Sequence, residues 1–199
     1  MMKIKKRLLG LKSLNELFTP CLILDENKFT KNIERLKSIV EQKNINFRPH
    51  LKTAKCVEIT KRLSEVFGKR AVVSTIEEIE KLKHCGINDF LYSVAIVPNK
   101  FDRIAQCLSE DFRISVLIDD ISIARKLVDF YKKTGVKITA LIELDLDGHR
   151  SGVKPNSRER LYEIGKCLDN EGLFRGVMSH AGESYNLSNS KDLRECARN

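Results

Sequence analysis

The feature that most limits how this chain can fold is a regular alternation between short apolar segments and amphipathic helical segments. In the helical segments, the first of which follows a turn at residues 25–27, apolar side chains recur at helical spacing, and glycines follow several of them as stop signals. Thr75 and Glu78 form a capping-box pattern ahead of another helix. Nearly continuous apolar strands that alternate with helices are typical of a parallel sheet covered by helices. The sequence predicts strands at residues 47–52, 71–74, 90–94, 114–118, 138–146 and 174–179, preceded by a short one at 19–24.

The number of predicted strands bounds the architecture. No linker or change of composition divides the series. A complete (β/α)8 barrel usually needs about 250 residues, whereas this chain has 199. The sequence therefore predicts an α/β fold that is either an open parallel sheet or a (β/α)8 TIM-barrel type, incomplete at about six barrel strands.

Composition excludes several classes of protein. Hydrophobic residues make up 42% of the chain and charged residues 32%, which is ordinary for a globular protein and unlike a disordered one. No apolar run approaches the roughly 20 residues that span a bilayer. The net charge of +9 is spread over every predicted helix, whereas nucleic-acid binders concentrate basic residues on one face. We therefore expect neither a membrane nor a nucleic-acid partner.

The cysteines and the N-terminal segment favour a cytoplasmic protein. None of the six cysteines forms a CxxC pair or a spacing with histidine that would bind zinc, so we expect reduced thiols and no metal ligands. Residues 1–18 are basic and lack the apolar core of a secretory signal. We interpret them as a leader ahead of a partial barrel domain at residues 19–199.

The stretch at residues 47–56, which reads FRPHLKTAKC, carries the strongest chemical signal. In a strand, alternate side chains share one face, so Arg48, His50 and Lys52 would point the same way. A cation, an imidazole and an amine repel one another unless an anionic or carbonyl-bearing ligand lies among them. The pattern predicts a site for a phosphorylated aldehyde with Lys52 as the amine, although Lys55 competes for this role from the following loop.

Polar residues at later strand ends extend this candidate site. His149 and His180 each follow a predicted strand. Because Pro49 cannot donate to a ladder, regular pairing of the first barrel strand should stop near Arg48, which leaves His50 and Lys52 at its end. Ligands of α/β proteins collect at the carboxyl ends of strands. The histidines could also be satisfied core residues, and Lys52 a solvated loop lysine. The further candidates are Asp145, Asp147, Arg150 and Tyr185. Arg150 could simply form an ion pair with one of the two aspartates.

Four motifs follow one another along the chain and read TPCLILDENKFTKNIERLK, RPHLKTAKC, LIELDLDGHRSGV and GVMSHAGESY. In this order they resemble those of the D-threonine aldolase and D-serine dehydratase group of fold-type III pyridoxal-phosphate enzymes, which is related more distantly to alanine racemase. Together they extend over residues 19–186. The resemblance implies an alanine-racemase-like barrel.

The resemblance also implies roles for individual residues. Lys52, in the RPHxKT motif, would carry pyridoxal 5'-phosphate as a Schiff base, which requires an unprotonated amine, and His50 would support it in catalysis. Arg150 would lie near the phenolic oxygen of the cofactor and His180 against its pyridine ring, while Tyr185 would complete the cofactor-binding residues. The family further implies a homodimer and a divalent metal whose ligands lie in a C-terminal β-domain.

Two features depart from the family pattern. The family motif usually reads KTHK, whereas this chain has Ala54 in place of the histidine. The β-domain, with its metal ligands, is absent from the sequence, so we expect an N-terminal portion of a longer family protein.

The predicted function is that of a pyridoxal-phosphate-dependent lyase that acts on D-3-hydroxy amino acids by retro-aldol cleavage or by dehydration. The sequence does not decide between these two reactions. Two alternatives remain open, namely a non-enzymatic pyridoxal-phosphate-binding homeostasis protein and an inactive truncated fragment.

Overall fold

A computed structural model describes residues 13–198, which fall into two compact units that divide after Ile45. Residues 1–12 of the predicted leader lie outside the described residues. Within residues 13–198, no helix combines the length and the apolar character needed to cross a membrane.

The described part of the first unit contains a short 3-10 helix, Leu14–Glu16, and one α-helix, α1, Glu26–Gln42. The predicted helix is confirmed, and Asp25 caps it by accepting a hydrogen bond from the backbone N–H of Lys28. The predicted strand at residues 19–24 is wrong, because this segment has no regular secondary structure and Leu22 is 100% exposed. A strand needs a hydrogen-bonded neighbour, and none of the described strands pairs with this segment.

The second unit alternates helices and strands, as the apolar pattern predicts. Its elements are α2 (Val57–Phe67), β1 (Arg70–Val73), α3 (Ile76–Leu82), β2 (Asp89–Ala95), α4 (Phe101–Ala105), β3 (Arg113–Ile118), α5 (Ile121–Thr134), β4 (Thr139–Leu144), α6 (Arg158–Asp169), β5 (Phe174–Ser179) and α7 (Ser190–Cys196). Short 3-10 helices at Pro98–Lys100 and Gly182–Asn186 precede α4 and follow β5.

The sheet is parallel, and its strands lie side by side in sequence order from β1 to β5. A doubly wound open sheet reverses its strand order at a switch point, whereas a (β/α)8 barrel places each strand beside the one before it. The sequential order decides between the two predicted architectures in favour of the barrel type. Five of the six predicted barrel strands are confirmed.

The first predicted barrel strand, at residues 47–52, is reduced to a single parallel bridge between His50 and Val72. The N–H of Leu51 donates to the carbonyl of Val72 over 2.9 Å, and the N–H of Val72 donates to the carbonyl of Pro49 over 2.8 Å. Pro49 has no N–H to extend the ladder. Lys52 therefore lies in the turn that follows the bridge and not in a strand.

The two faces of the sheet differ in character. Ile142 of β4 lies against α6, with its Cδ1 3.8 Å from where a Cβ on Gly165 would stand. On this helix-covered face the core side chains, including Phe90 and Tyr92, are buried. Because side chains alternate along a strand, Glu143 lies on the opposite face. Polar residues on that opposite face are available for a site.

Candidate active site

The structure separates Arg48 from His50 and Lys52. The guanidinium of Arg48 donates to both the carboxylate and the backbone carbonyl of Asp89, each over 2.7 Å. Arg175 donates to the same carboxylate over 3.1 Å. Asp89 is the first residue of β2, so this cluster lies at the amino ends of the strands. Arg48 and His50 face the same side of the sheet, because they contact Asp89 and Ser93, which alternate onto one face of β2. Arg48 is nevertheless too far along the strand to join the predicted cluster, since Asp89 pairs with its charge at the amino end.

The two arginines stabilise the ionised form of Asp89. Burial by itself would raise the pKa of Asp89, but hydrogen bonds from Arg48 and Arg175, and the charges of the two guanidinium groups, lower that pKa to about 2. Arg175 also donates to the hydroxyl of Ser115 over 2.6 Å and thereby links β5, β2 and β3. We interpret these contacts as a structural cross-brace.

His50 is held by hydrogen bonds at both ring nitrogens. Its Nδ1 accepts from the backbone N–H of Lys52 over 3.2 Å. Its Nε2 lies 3.2 Å from the hydroxyl of Ser93 and 3.5 Å from that of Ser74. Ser93 donates its own proton to the carbonyl of Val73 over 3.1 Å. These contacts are all satisfied together when the ring is neutral and carries its proton on Nε2.

The charge environment of His50 supports the neutral ring. Burial, and then the positive charge of Lys52, lower the pKa of His50, while Glu78 acts in the opposite direction. His180, which follows β5, also lowers this pKa. His50, beside the end of β1, and His180, after β5, both follow the carboxyl ends of strands.

The structure distinguishes the two competing lysines. The amine of Lys55 lies 3.4 Å from Oε1 of the buried Glu78. Lys52 is exposed in the turn, and its amine makes no hydrogen bond or ion pair with the part of the chain that the structure describes. The amine of Lys52 is therefore available to react with a ligand, whereas the amine of Lys55 forms an ion pair with Glu78.

Arg150 lies in the loop after β4, held by two aspartates. Asp145 accepts from the backbone N–H of Arg150 over 3.2 Å, and Nε of Arg150 stands 4.0 Å from Oδ2 of Asp147. The same carboxylate oxygen accepts from the N–H of Gly182 over 2.9 Å. This contact joins the loop after β4 to the loop after β5. The plainer interpretation of Arg150, an ion pair with an aspartate, therefore holds in part, but the contact is long and 45% of its side chain is exposed.

Glu143 is a site residue that the sequence reasoning missed. It is 7% exposed at the carboxyl end of β4, and its Oε2 has no hydrogen-bond partner within residues 13–198. Burial raises the pKa of Glu143, against a hydrogen bond with Ser151 and the charge of Arg150. The signal was present in the ELD segment, where Glu143 alternates with Asp145 within the predicted strand at residues 138–146 and so would share its face.

The remaining predicted residues lie around the loop after β5. The rings of His180 and Tyr185 are 5.6 Å apart at 58°, and Tyr185 is 77% exposed. His149 is exposed, with Nδ1 2.9 Å from the carbonyl of Asp147 and Nε2 3.5 Å from Glu183. His149 thus belongs to the loop surface.

The geometry places several chemically distinct groups at one end of the sheet. They are an exposed guanidinium, two imidazoles and, without partners among residues 13–198, the amine of Lys52 and a buried carboxyl oxygen of Glu143. Such a set suits a small carbonyl compound with anionic groups, because the amine can add to the carbonyl and the guanidinium can face an anionic oxygen. No group of three or more potential ligands that could hold a metal ion occurs among the described residues.

Known proteins that resemble the chain share this fold. Residues 24–198 match the family model described as alanine racemase, N-terminal domain. The D-threo-3-hydroxyaspartate dehydratase of Delftia sp. (strain HT23) is 30% identical over 180 residues, which cover 90% of this chain and 47% of that protein. Its solved structure has a TM-score of 0.88 and covers 94% of this chain and 50% of that one.

Two further relatives carry other activities in their names. The D-serine dehydratase of Dictyostelium discoideum is 27% identical over 199 residues, which cover 92% of this chain and 50% of that protein. The solved structure of D-threonine aldolase from Filomicrobium marinum has a TM-score of 0.83 at 28% identity and covers 93% of this chain and 50% of that one. The chain spans about half the length of the curated relatives it matches.

Proposed function

Because the chain belongs to the family of the alanine racemase N-terminal domain, we propose that it is the cofactor-binding part of a pyridoxal-phosphate-dependent lyase for D-3-hydroxy amino acids. The named relatives act on D-threo-3-hydroxyaspartate, D-serine and D-threonine, which share a hydroxyl on the β-carbon. In this proposal residues 19–199 supply part of a barrel domain. The single observation that carries it is the amine of Lys52, unpartnered within the described chain and set at the carboxyl ends of the strands.

The residues present fit the cofactor. Lys52 offers an amine for the aldehyde, Arg150 a guanidinium for the phenolic oxygen, and His180 a flat ring for the pyridine face, with Tyr185 beside it. When bound, pyridoxal phosphate supplies an electron sink that weakens the bonds at the α-carbon of an amino acid. The Schiff base with Lys52 is the attachment that we propose.

The contacts of His50 support a positioning role. Both ring nitrogens are occupied, one by the backbone of Lys52 and the other by Ser93. A neutral ring held in this way orients the turn that carries Lys52, and it has no free nitrogen with which to move a proton at the substrate. We therefore propose that His50 supports catalysis through Lys52.

A divalent metal is expected for these lyases, but the described residues hold no cluster that fits one. Its ligands would have to come from outside residues 13–198. We extend the proposal to a cytoplasmic homodimer, in keeping with six cysteines that are all free. Sedimentation of the purified protein measures the oligomeric state.

The test of the cofactor assignment is covalent labelling. The full chain is incubated with pyridoxal phosphate, reduced with borohydride, digested and analysed by mass spectrometry. We expect the reduced cofactor on the peptide that contains Lys52 and its loss in Lys52→Ala. The matched control is Lys81→Ala, which removes an exposed lysine of α3. Equal labelling of wild type and Lys52→Ala would refute the assignment.

The test of the reaction uses D-threonine, D-serine and D-threo-3-hydroxyaspartate. Retro-aldol cleavage of D-threonine yields glycine and acetaldehyde, whereas dehydration of D-serine yields pyruvate and ammonia, so product analysis distinguishes the two reactions. Labelling at Lys52 without turnover of any of these compounds, even with added divalent metal, would favour a cofactor-carrying protein without activity.

A further inference from the structure

We infer that the ion pair between Lys55 and Glu78 is a positioning device that holds the amine of Lys52 where it meets the cofactor. The inference rests on the proposed function, because it concerns the approach of Lys52 to an aldehyde. It assigns a role to a lysine that the sequence offered only as a competitor for the covalent link.

The first support is the geometry of the turn that carries Lys52. The turn begins where Leu51 donates its N–H to the carbonyl of Val72, over 2.9 Å, at the carboxyl end of β1. It ends where Lys55 donates its N–H to the carbonyl of Leu51 over 3.0 Å. Lys52 thus lies inside one closed turn whose start is attached to the sheet.

The second support is the conformation of Lys55. The backbone φ of Lys55 is +45°, in the left-handed region that residues with a Cβ rarely adopt. Such a conformation persists where surrounding contacts hold it. Two contacts hold it here, the hydrogen bond from its own N–H to the carbonyl of Leu51 and the ion pair of 3.4 Å between its amine and Oε1 of Glu78.

The third support is the way in which Glu78 is anchored. Its side chain is 9% exposed, and Oε2 accepts from the N–H groups of Ser74 and Thr75 over 2.8 and 3.2 Å. Oε1 is buried without a hydrogen-bond partner in the described chain, so the Lys55 amine is the cation beside it. A buried carboxylate left without a cation is costly.

Together these contacts attach both ends of the turn to the end of β1. The start is bonded to Val72, and the end is bonded through Lys55 and Glu78 to Ser74. A turn fixed at both ends limits the positions that the Lys52 side chain can reach, which raises its effective concentration toward a bound aldehyde. Lys55 and Glu78 are therefore positioning residues, and Lys52 alone makes the bond.

A plainer role for Glu78 is to cap α3 together with Thr75, in the capping box that the sequence predicts and the structure confirms. Capping alone would affect stability and would not depend on Lys55. The experiment must therefore measure how selectively Lys52 reacts, in addition to the melting temperature.

The experiment compares the full wild-type chain with Lys55→Gln, Lys55→Arg and Glu78→Gln. Glu78→Gln keeps an oxygen for the N–H groups of Ser74 and Thr75 but removes the charge. The matched control is Lys81→Gln, which removes a lysine that pairs with Glu77 on the same helix. Each protein is labelled with pyridoxal phosphate and borohydride, and labelling of Lys52 is divided by labelling of the other lysines.

We expect the labelling rate at Lys52, relative to the other lysines, to fall roughly fivefold in Lys55→Gln and in Glu78→Gln, as befits the loss of a partly exposed ion pair. Lys55→Arg should restore most of it, and Lys81→Gln should match wild type. Unchanged selectivity in Lys55→Gln would overturn the inference, even with a lower melting temperature. Absence of Lys52 labelling in wild type would instead overturn the proposed function.

Discussion

The cross-brace of Arg48, Asp89 and Arg175 allows a quantitative prediction for Asp89→Asn. The pKa of Asp89 is lowered to about 2 in the folded protein, against about 3.9 in an unfolded chain. Each unit corresponds to about 1.4 kcal/mol, so the full shift represents about 2.6 kcal/mol. After a discount for partial access of solvent, we expect Asp89→Asn to lower the free energy of unfolding at pH 7 by roughly 1.5–2 kcal/mol.

The pH dependence gives the prediction its sign. A carboxyl group whose pKa is lower in the folded state stabilises the protein above its unfolded pKa, and this stabilisation is lost as the pH falls through the folded pKa. The difference between wild type and Asp89→Asn should therefore be full above about pH 4 and shrink toward pH 2.

The assay is urea denaturation followed by circular dichroism at several pH values between 7 and 2. The control is Asp111→Asn, which makes the same change of charge at an exposed aspartate. A free energy of unfolding for Asp89→Asn equal to that of wild type at pH 7 would refute the reasoning. So would a deficit that is constant over the whole pH range.

Three further predictions concern the site and its loops. Replacing His50 by Asn, whose side-chain oxygen can still accept the Lys52 N–H, should retain labelling of Lys52 by pyridoxal phosphate, whereas His50→Leu should lose most of it; equal labelling of the two variants would contradict the positioning role. Because burial raises the pKa of Glu143, ionisation of this carboxyl destabilises the folded protein, and the stability falls as the pH rises through that pKa. Glu143→Gln should therefore unfold at a higher urea concentration than wild type at pH 7 and at a similar one at pH 4. A lower urea midpoint than wild type at pH 7 would contradict this prediction. A Cβ on Gly152, whose φ is +117°, would stand 2.7 Å from the backbone N of Asp145, whereas a Cβ on Gly148 would meet open space. Gly152→Ala should therefore lower the melting temperature clearly more than Gly148→Ala. Similar losses in the two variants would contradict the prediction and show that the positive φ alone sets the loss of stability.

The sequence predicted well those features that depend on neighbouring residues. The strand Phe174–Ser179 has the predicted bounds, and the capping box of Thr75 and Glu78 is present. Helical periodicity and caps are properties of a few consecutive residues, so a single sequence contains them.

Long-range pairing was less accessible to the same reasoning. The segment at residues 19–24 has the apolar pattern of a strand, but a strand forms only where another strand meets it. Arg48 alternates with His50, yet its charge is drawn to Asp89, which lies 41 residues further along the chain. The residues that flank Arg48 and Asp89 in the sequence do not predict that contact.

The alternation of apolar and amphipathic segments by itself determined the parallel α/β character of the protein, because the side-chain period decides which elements can bury a face. The motif order determined the family. Only the tertiary structure decided which lysine is free, since it brought Glu78 to Lys55 and left the Lys52 amine unpaired in the described chain. It also placed the carboxylate of Glu143 in a buried position. Ion pairing and burial depend on residues that are distant in the sequence and meet only in the folded protein, so the sequence alone does not specify either.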